Sequence, residues 1–81
     1  MNTKKIHNKM KHFVTMGQEH VHSIDGMTID KDTVVRFDVA TVGGGRRKAF
    51  DYFGQRFSTE YSEKEWNEDY MDHYPGGYVD L

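Results

Sequence analysis

The segment TVVRFDVATV, which begins at Thr33, constrains the fold most because it predicts a β-strand. Large apolar side chains recur at every second position, at Val35, Phe37 and Val39, and the charged Arg36 stands between two of them. This period of two is typical of a strand with one face against a core. The chain must therefore form a sheet, and a second strand must pair with this one.

The residues before this strand predict its partner. The segment HFVTMGQEHVH, from His12, is rich in aromatic and β-branched residues, which favour extended backbone. Gly17 predicts a bulge or kink within it. Asp25 and Gly26 predict a turn that leads towards the second strand. We expect the two strands to be antiparallel.

Two helices and two short strands are predicted after Val42. Apolar residues at helical spacing predict a helix in GGGRRKAFDYFGQRF that ends near Gly54. FSTEY predicts a short strand. SEKEWNEDYMDHYP predicts a second helix, since Ser62 and Glu65 have the spacing of a capping box, and GGYVDL predicts a last strand. The fold class is therefore α+β: a small, mostly antiparallel sheet of three to four strands with one or two helices, in the order β-β-α-β-α-β.

The composition predicts one small domain, residues 1–81, with a thin core. Only 36% of the residues are hydrophobic, and 14% are aromatic, so a few large side chains must supply most of the buried area. Cysteine is absent, so any cross-link must use nitrogen and oxygen ligands to a metal. Residues 1–11 hold four lysines and no acid and predict a basic, frayed arm.

A His-x-His pair predicts a structural zinc site. On a strand, His20 and His22 point to the same side, and a turn at Asp25 would return Asp30 and Asp32 towards them. Zinc binds imidazole nitrogen and carboxylate oxygen, so these four residues form a complete ligand set. The alternative is a solvated strand end that contains two histidines by chance. A catalytic zinc is a further alternative, but the candidate base Glu19 would face away from the pair.

Two charged groups are candidate partner-binding residues. The first is Arg46, Arg47 and Lys48, which follow three glycines at the start of the predicted helix. The glycine spacing matches no nucleotide-binding motif, so we interpret it as a flexible connection. Three cations in a first helical turn oppose the helix dipole, a cost that an acidic partner or a phosphate backbone would offset.

The second charged group is acidic and lies in the predicted second helix. Its members are Glu63, Glu65, Glu68, Asp69 and Asp72. They are expected on the side away from Trp66 and could present carboxylates as a duplex presents phosphates. The alternative is an ordinary solvated helix face.

The runs FVTMGQEHVH, DKD before a strand, AFDYFGQRFSTEY and YPGGYVDL resemble small phage and prophage proteins over roughly residues 13–81. Proteins of this kind include anti-CRISPR inhibitors, which bind a CRISPR effector nuclease and block guide loading, DNA binding or cleavage. The chain is similar to that class in size, lack of cysteine, aromatic content and uneven charge. The class has no common fold, so the resemblance assigns no role to any residue.

These observations lead to one functional hypothesis and two alternatives. The leading hypothesis is a monomeric, cytoplasmic inhibitor of a host protein, such as a type II CRISPR effector nuclease or another nucleic-acid enzyme. It would act by stoichiometric binding, with zinc as a structural cofactor, with no direct nucleic-acid readout and no membrane contact. The alternatives are a small metal-dependent hydrolase that uses the His-x-His site and a nucleic-acid binder that uses the basic arm.

Overall fold

The computed structural model of the protein describes residues 9–81. Its elements, in chain order, are β1 (Met10–Thr15), β2 (His22–Ile24), β3 (Met27–Ile29), β4 (Thr33–Val39), α1 (Val42–Phe53), β5 (Thr59–Ser62), a 3-10 helix (Glu68–His73) and β6 (Gly77–Asp80). The first eight residues of the predicted arm lie outside the described residues. Lys11, also assigned to the arm, is part of β1.

A four-stranded sheet forms the centre of the fold, in the order β5-β1-β4-β6. β1 pairs antiparallel with β4, as predicted, with Val14 opposite Val35. β5 pairs antiparallel with the other side of β1, whereas β6 is parallel to β4. The sheet is therefore mixed, and the predicted α+β class with a small, mostly antiparallel sheet is confirmed.

Helix α1 covers one face of this sheet, and the main core lies between them. Val14, Val35 and Phe37 of the sheet pack with Ala49 and Phe53 of the helix, and all five are buried. Because side chains alternate between the faces of a strand, the neighbours of these residues point the other way. That second face carries Phe13, Tyr61 and Tyr78 and is called the aromatic face below.

The predicted first strand is interrupted, which corrects the expectation of one strand with a kink. Gly17 has a φ of 70°, in the left-handed region, and the chain turns there before β2 begins. The predicted turn at Asp25 and Gly26 is confirmed: both have positive φ, as a two-residue hairpin requires, and they join β2 to β3. β3 was not predicted as a strand, yet its Ile29 is fully buried in the core.

Helix α1 is confirmed, but the glycines before Arg46 form its first turn instead of a flexible connection. Thr41 caps the helix by accepting a hydrogen bond from Gly44 N at 2.9 Å. Gly54, with a φ of 61°, ends it. A side chain at Gly45 would overlap the ring of His12, so this glycine is required by close packing of the helix on β1.

The predicted second α-helix is wrong. Residues 63–65 form a turn, and only the 3-10 helix Glu68–His73 follows. Asn67 has extended backbone and caps that short helix, accepting from Asp69 N at 2.9 Å. An extended residue at this position interrupts any α-helix that starts at Ser62. Within residues 9–81, no helix is long and apolar enough to cross a membrane.

Candidate partner-binding surface

The five predicted acidic residues lie in one exposed segment, which is anchored on the aromatic face of the sheet. Glu63, Glu65, Glu68, Asp69 and Asp72 are all exposed and are called the acidic surface. One large side chain is the main anchor of this segment on the sheet.

That anchor is Trp66, which lies in the middle of the segment. Its ring stacks on Phe13 of β1 with a centroid distance of 4.6 Å and an interplanar angle of 8°. Tyr61 of β5 meets the edge of the same indole at 5.2 Å. Aromatic pairs of this kind add roughly 0.5–1.5 kcal/mol beyond their burial. The acidic surface therefore rests on a packed base.

A hydrogen-bond chain fixes the carboxylate of Glu68. Trp66 Nε1 donates to the hydroxyl of Tyr78 at 2.9 Å, and that hydroxyl donates to Glu68 Oε2 at 2.7 Å. Burial, and then the bond to Glu68, raises the pKa of Tyr78, so the phenol remains a donor. The guanidinium of Arg36 lies over the Tyr78 ring at 3.9 Å and forms two hydrogen bonds with Asp80, which hold the ring in place.

Two other carboxylates are bound to nearby backbone. Glu63 Oε1 accepts from Lys11 N at 2.8 Å, which ties the segment to β1. Glu65 Oε1 accepts from both the backbone N and the hydroxyl of Ser62, each at 3.0 Å. These bonds, the backbone one first, lower the pKa of Glu65. The predicted pairing of Ser62 with Glu65 is thus formed, although it closes a turn and starts no helix.

Asp69 and Asp72 complete the surface, and an exposed aromatic residue lies among the acids. Within residues 9–81, none of the five acids has a lysine, arginine or histidine within ion-pair distance. Tyr70 is 38% exposed and contacts Tyr61 and Trp66. Helical spacing predicts that Tyr70 shares the buried side of Trp66; the two rings do pack together, but Tyr70 stays partly exposed, which sequence reasoning missed.

The predicted basic group is split between two sides of α1. Arg46 pairs with Glu60 of β5, with Nε 3.3 Å from Oε2, while Arg47 is exposed. Lys48 is half-buried on the other side, its Nζ 5.3 Å from the centre of the Phe37 ring. The three cations therefore do not form one surface.

Three of the four predicted zinc ligands have other partners. His22 Nε2 donates to the carbonyl of Arg56 at 2.7 Å, and Asp30 Oδ1 accepts from Asp32 N at 2.9 Å. Asp32 is paired with Lys31, and His20 lines a shallow cleft with Ser58. Among the residues that the structure describes, no three histidine, aspartate or glutamate side chains are placed to share a metal ion. The zinc site stays a prediction.

A cleft of roughly 370 Å³ lies between β1, β5 and the start of α1. His12 lines it but is only 2% exposed; its Nε2 donates to Glu60 Oε1 at 2.7 Å. Its Nδ1 faces Gly45 and has no hydrogen-bond partner within residues 9–81. A general base must reach its substrate with an accessible nitrogen. This nitrogen is covered by the helix, and the bond of the other ring nitrogen to Glu60 joins β1 to β5.

Comparison with known proteins adds no relative, because no protein family, curated protein or solved structure matches the chain.

Proposed function

We propose that the protein is a stoichiometric inhibitor that binds a host protein through its acidic surface. The partner would be a nucleic-acid enzyme of a host defence system, such as a type II CRISPR effector nuclease in the bacterial cytoplasm. The carboxylates would occupy a cationic surface on which that enzyme holds nucleic acid. The resemblance to small phage proteins supports the class of partner, and the geometry of the acidic surface supports the mode of binding.

The observation that carries this proposal is the fixed carboxylate of Glu68 beside exposed Tyr70. Holding an acidic side chain in place before binding reduces the entropy lost on association. An exposed tyrosine amid charges has the composition of an interface centre, where aromatic residues contribute most of the affinity. Clustered charge of one sign also speeds encounter with a surface of the opposite sign.

The experiment is a cleavage assay with a purified, guide-loaded type II CRISPR effector nuclease. The proposal predicts that target-DNA cleavage falls in proportion to added protein and ends near one protein per nuclease. A complex of the two should also elute together in size-exclusion chromatography. If cleavage is unchanged and no complex forms at a large molar excess of the protein, the proposal that its partner is a type II CRISPR effector nuclease would be contradicted.

Zinc as a structural cofactor is a separate proposal, and it has a direct test. Binding free energy of a structural metal is also folding free energy, so a chelator should lower the melting temperature. Elemental analysis of protein purified without a metal-affinity tag should then find zinc near one equivalent. A metal-free protein with an unchanged melting curve would contradict the proposal.

A further inference from the structure

One flank of α1 combines two arginines with an exposed phenylalanine. Arg46 and Arg47 precede Phe50 by four and three residues, so all three lie on neighbouring positions of the helix surface. Phe50 is 43% exposed, and its ring is supported from below by the edge of Phe57 at 5.4 Å. The flank thus presents a fixed aromatic ring with a guanidinium about one helical turn away.

The charge of this flank calls for an anionic partner. The first turn of α1 contains no acid, and the arginines near its start oppose the helix dipole. Glu60 offsets one of them, but it also accepts a hydrogen bond from His12. The Arg46 side chain remains 73% exposed, so most of its five N–H donors face solvent.

We propose that this flank binds single-stranded nucleic acid without sequence preference. A base stacks on Phe50, and adjacent phosphates bind Arg46 and Arg47. Alternation of a flat ring with cations matches the alternation of base and phosphate along a strand. An acidic protein surface would also satisfy the arginines, but a nucleic-acid strand supplies a flat base beside every phosphate.

The flank goes beyond the proposed inhibitory function because its residues are different: Arg46, Arg47 and Phe50 lie on α1, whereas the acidic segment is anchored by Trp66 on β1. Helix α1 covers one face of the sheet, and the acidic segment lies at the aromatic face. Glu65 lines the same cleft as Arg46, but Glu68 and Asp69 lie in the 3-10 helix that follows Trp66. Binding on α1 should therefore not require Glu68 or Asp69, and reversing their charge tests the two proposals separately.

Binding of a fluorescent oligothymidylate, measured by anisotropy at several salt concentrations, tests the proposal. Two phosphate contacts predict a slope of log K against log salt of about −1.4, and Arg47→Gln should reduce it by about 0.7. Phe50→Ala should weaken binding roughly 5- to 150-fold by loss of one stacked base. Lys31→Gln, which removes an exposed cation between β3 and β4, should change neither quantity.

Two outcomes would overturn the proposal. One is that Phe50→Ala, Arg47→Gln and the unaltered protein bind the oligonucleotide equally well, when melting curves show that all three are folded. The other is competition by poly-glutamate as strong as competition by unlabelled oligonucleotide, which would make the flank a site for acidic proteins. The variant Glu68→Lys/Asp69→Lys should still bind the oligonucleotide in a way that depends on Phe50. This result is expected whether or not the same substitutions change nuclease inhibition.

Discussion

Gly45 and His12 show how one contact sets the position of a whole helix. A Cβ on Gly45 would overlap the imidazole ring of His12, with Nδ1 as the nearest atom. The ring cannot move aside, because it stacks on Phe37 at 5.6 Å and its other nitrogen is bound to Glu60. The glycine therefore allows the helix to approach β1.

Gly45→Ala should destabilise the protein even though alanine favours helices by about 1 kcal/mol over glycine. Overpacking a filled core costs roughly 1–3 kcal/mol, so the net loss should be about 1 kcal/mol, measured by urea unfolding. Gly43→Ala is the matched control, since nothing lies within 4 Å of its added methyl group. It should keep or raise the stability, and equal effects of the two substitutions would contradict the packing account.

Because the Glu65 carboxylate is hydrogen-bonded in the folded protein, we expect the protein to lose stability in acid. Its pKa in the folded protein lies below the ordinary value of 4.5 because Ser62 donates two hydrogen bonds to the carboxylate. The contribution is therefore complete above about pH 5 and is lost as pH falls through the folded pKa. Thermal melting from pH 7 to pH 3 should show a smaller decline for Glu65→Gln. Parallel declines in both proteins would show that this carboxylate is not the group responsible.

At the scale of elements, the acidic segment is ordered by tertiary contacts instead of helical hydrogen bonds. Trp66 packs on β1, and the Tyr78 hydroxyl from β6 links Trp66 to Glu68. The segment is thus attached to β1 and to β6, two strands that are not neighbours in the sheet. Its carboxylates keep their positions without a regular helix beneath them.

Tyr78→Phe should loosen the acidic surface while leaving the ring over which Arg36 lies. Loss of the hydroxyl removes two hydrogen bonds, each worth roughly 0.5–1.5 kcal/mol, and leaves the indole N–H of Trp66 without its acceptor. Hydrogen exchange should become faster in residues 66–70. Tyr52→Phe, a matched change on α1, should have no such effect; equally fast exchange in both variants would contradict the hydrogen-bond chain.

The sequence predicted the elements whose signal is local. The alternation in β4, the cap of α1 at Gly54, the turn at Asp25 and the contact between Ser62 and Glu65 depend on neighbours within a few residues. The prediction of a second α-helix was wrong because it used an equally local signal. The conformation of this segment depends instead on the packing of Trp66 on a strand some fifty residues away.

The residues of the acidic surface were predicted, but the contacts that hold them were not. Composition alone located its carboxylates, since they lie within ten residues of one another. It could not identify what holds them, because Lys11 and Tyr78 come from strands at opposite ends of the chain. Its spacing from Trp66 likewise did not indicate that Tyr70 would be partly exposed.

At the scale of the whole molecule, the surface charge is unevenly distributed. Glu68, Asp69 and Asp72 lie in the 3-10 helix beyond Trp66, whereas Arg46 and Arg47 lie on α1. The net charge of −2 therefore conceals two surfaces with different preferences. A partner with a cationic groove should bind on the acidic side only.

The central claim is that partner binding uses the acidic surface, and a charge-reversal measurement tests it most directly. The affinity of the guide-loaded nuclease should be measured for Glu68→Lys/Asp69→Lys and for a control, Glu19→Lys/Asp51→Lys, in which exposed acids away from that surface undergo the same change in charge. The account predicts at least a tenfold loss, about 1.4 kcal/mol, for the first variant and little change for the control. Equal affinities for the two variants would contradict it.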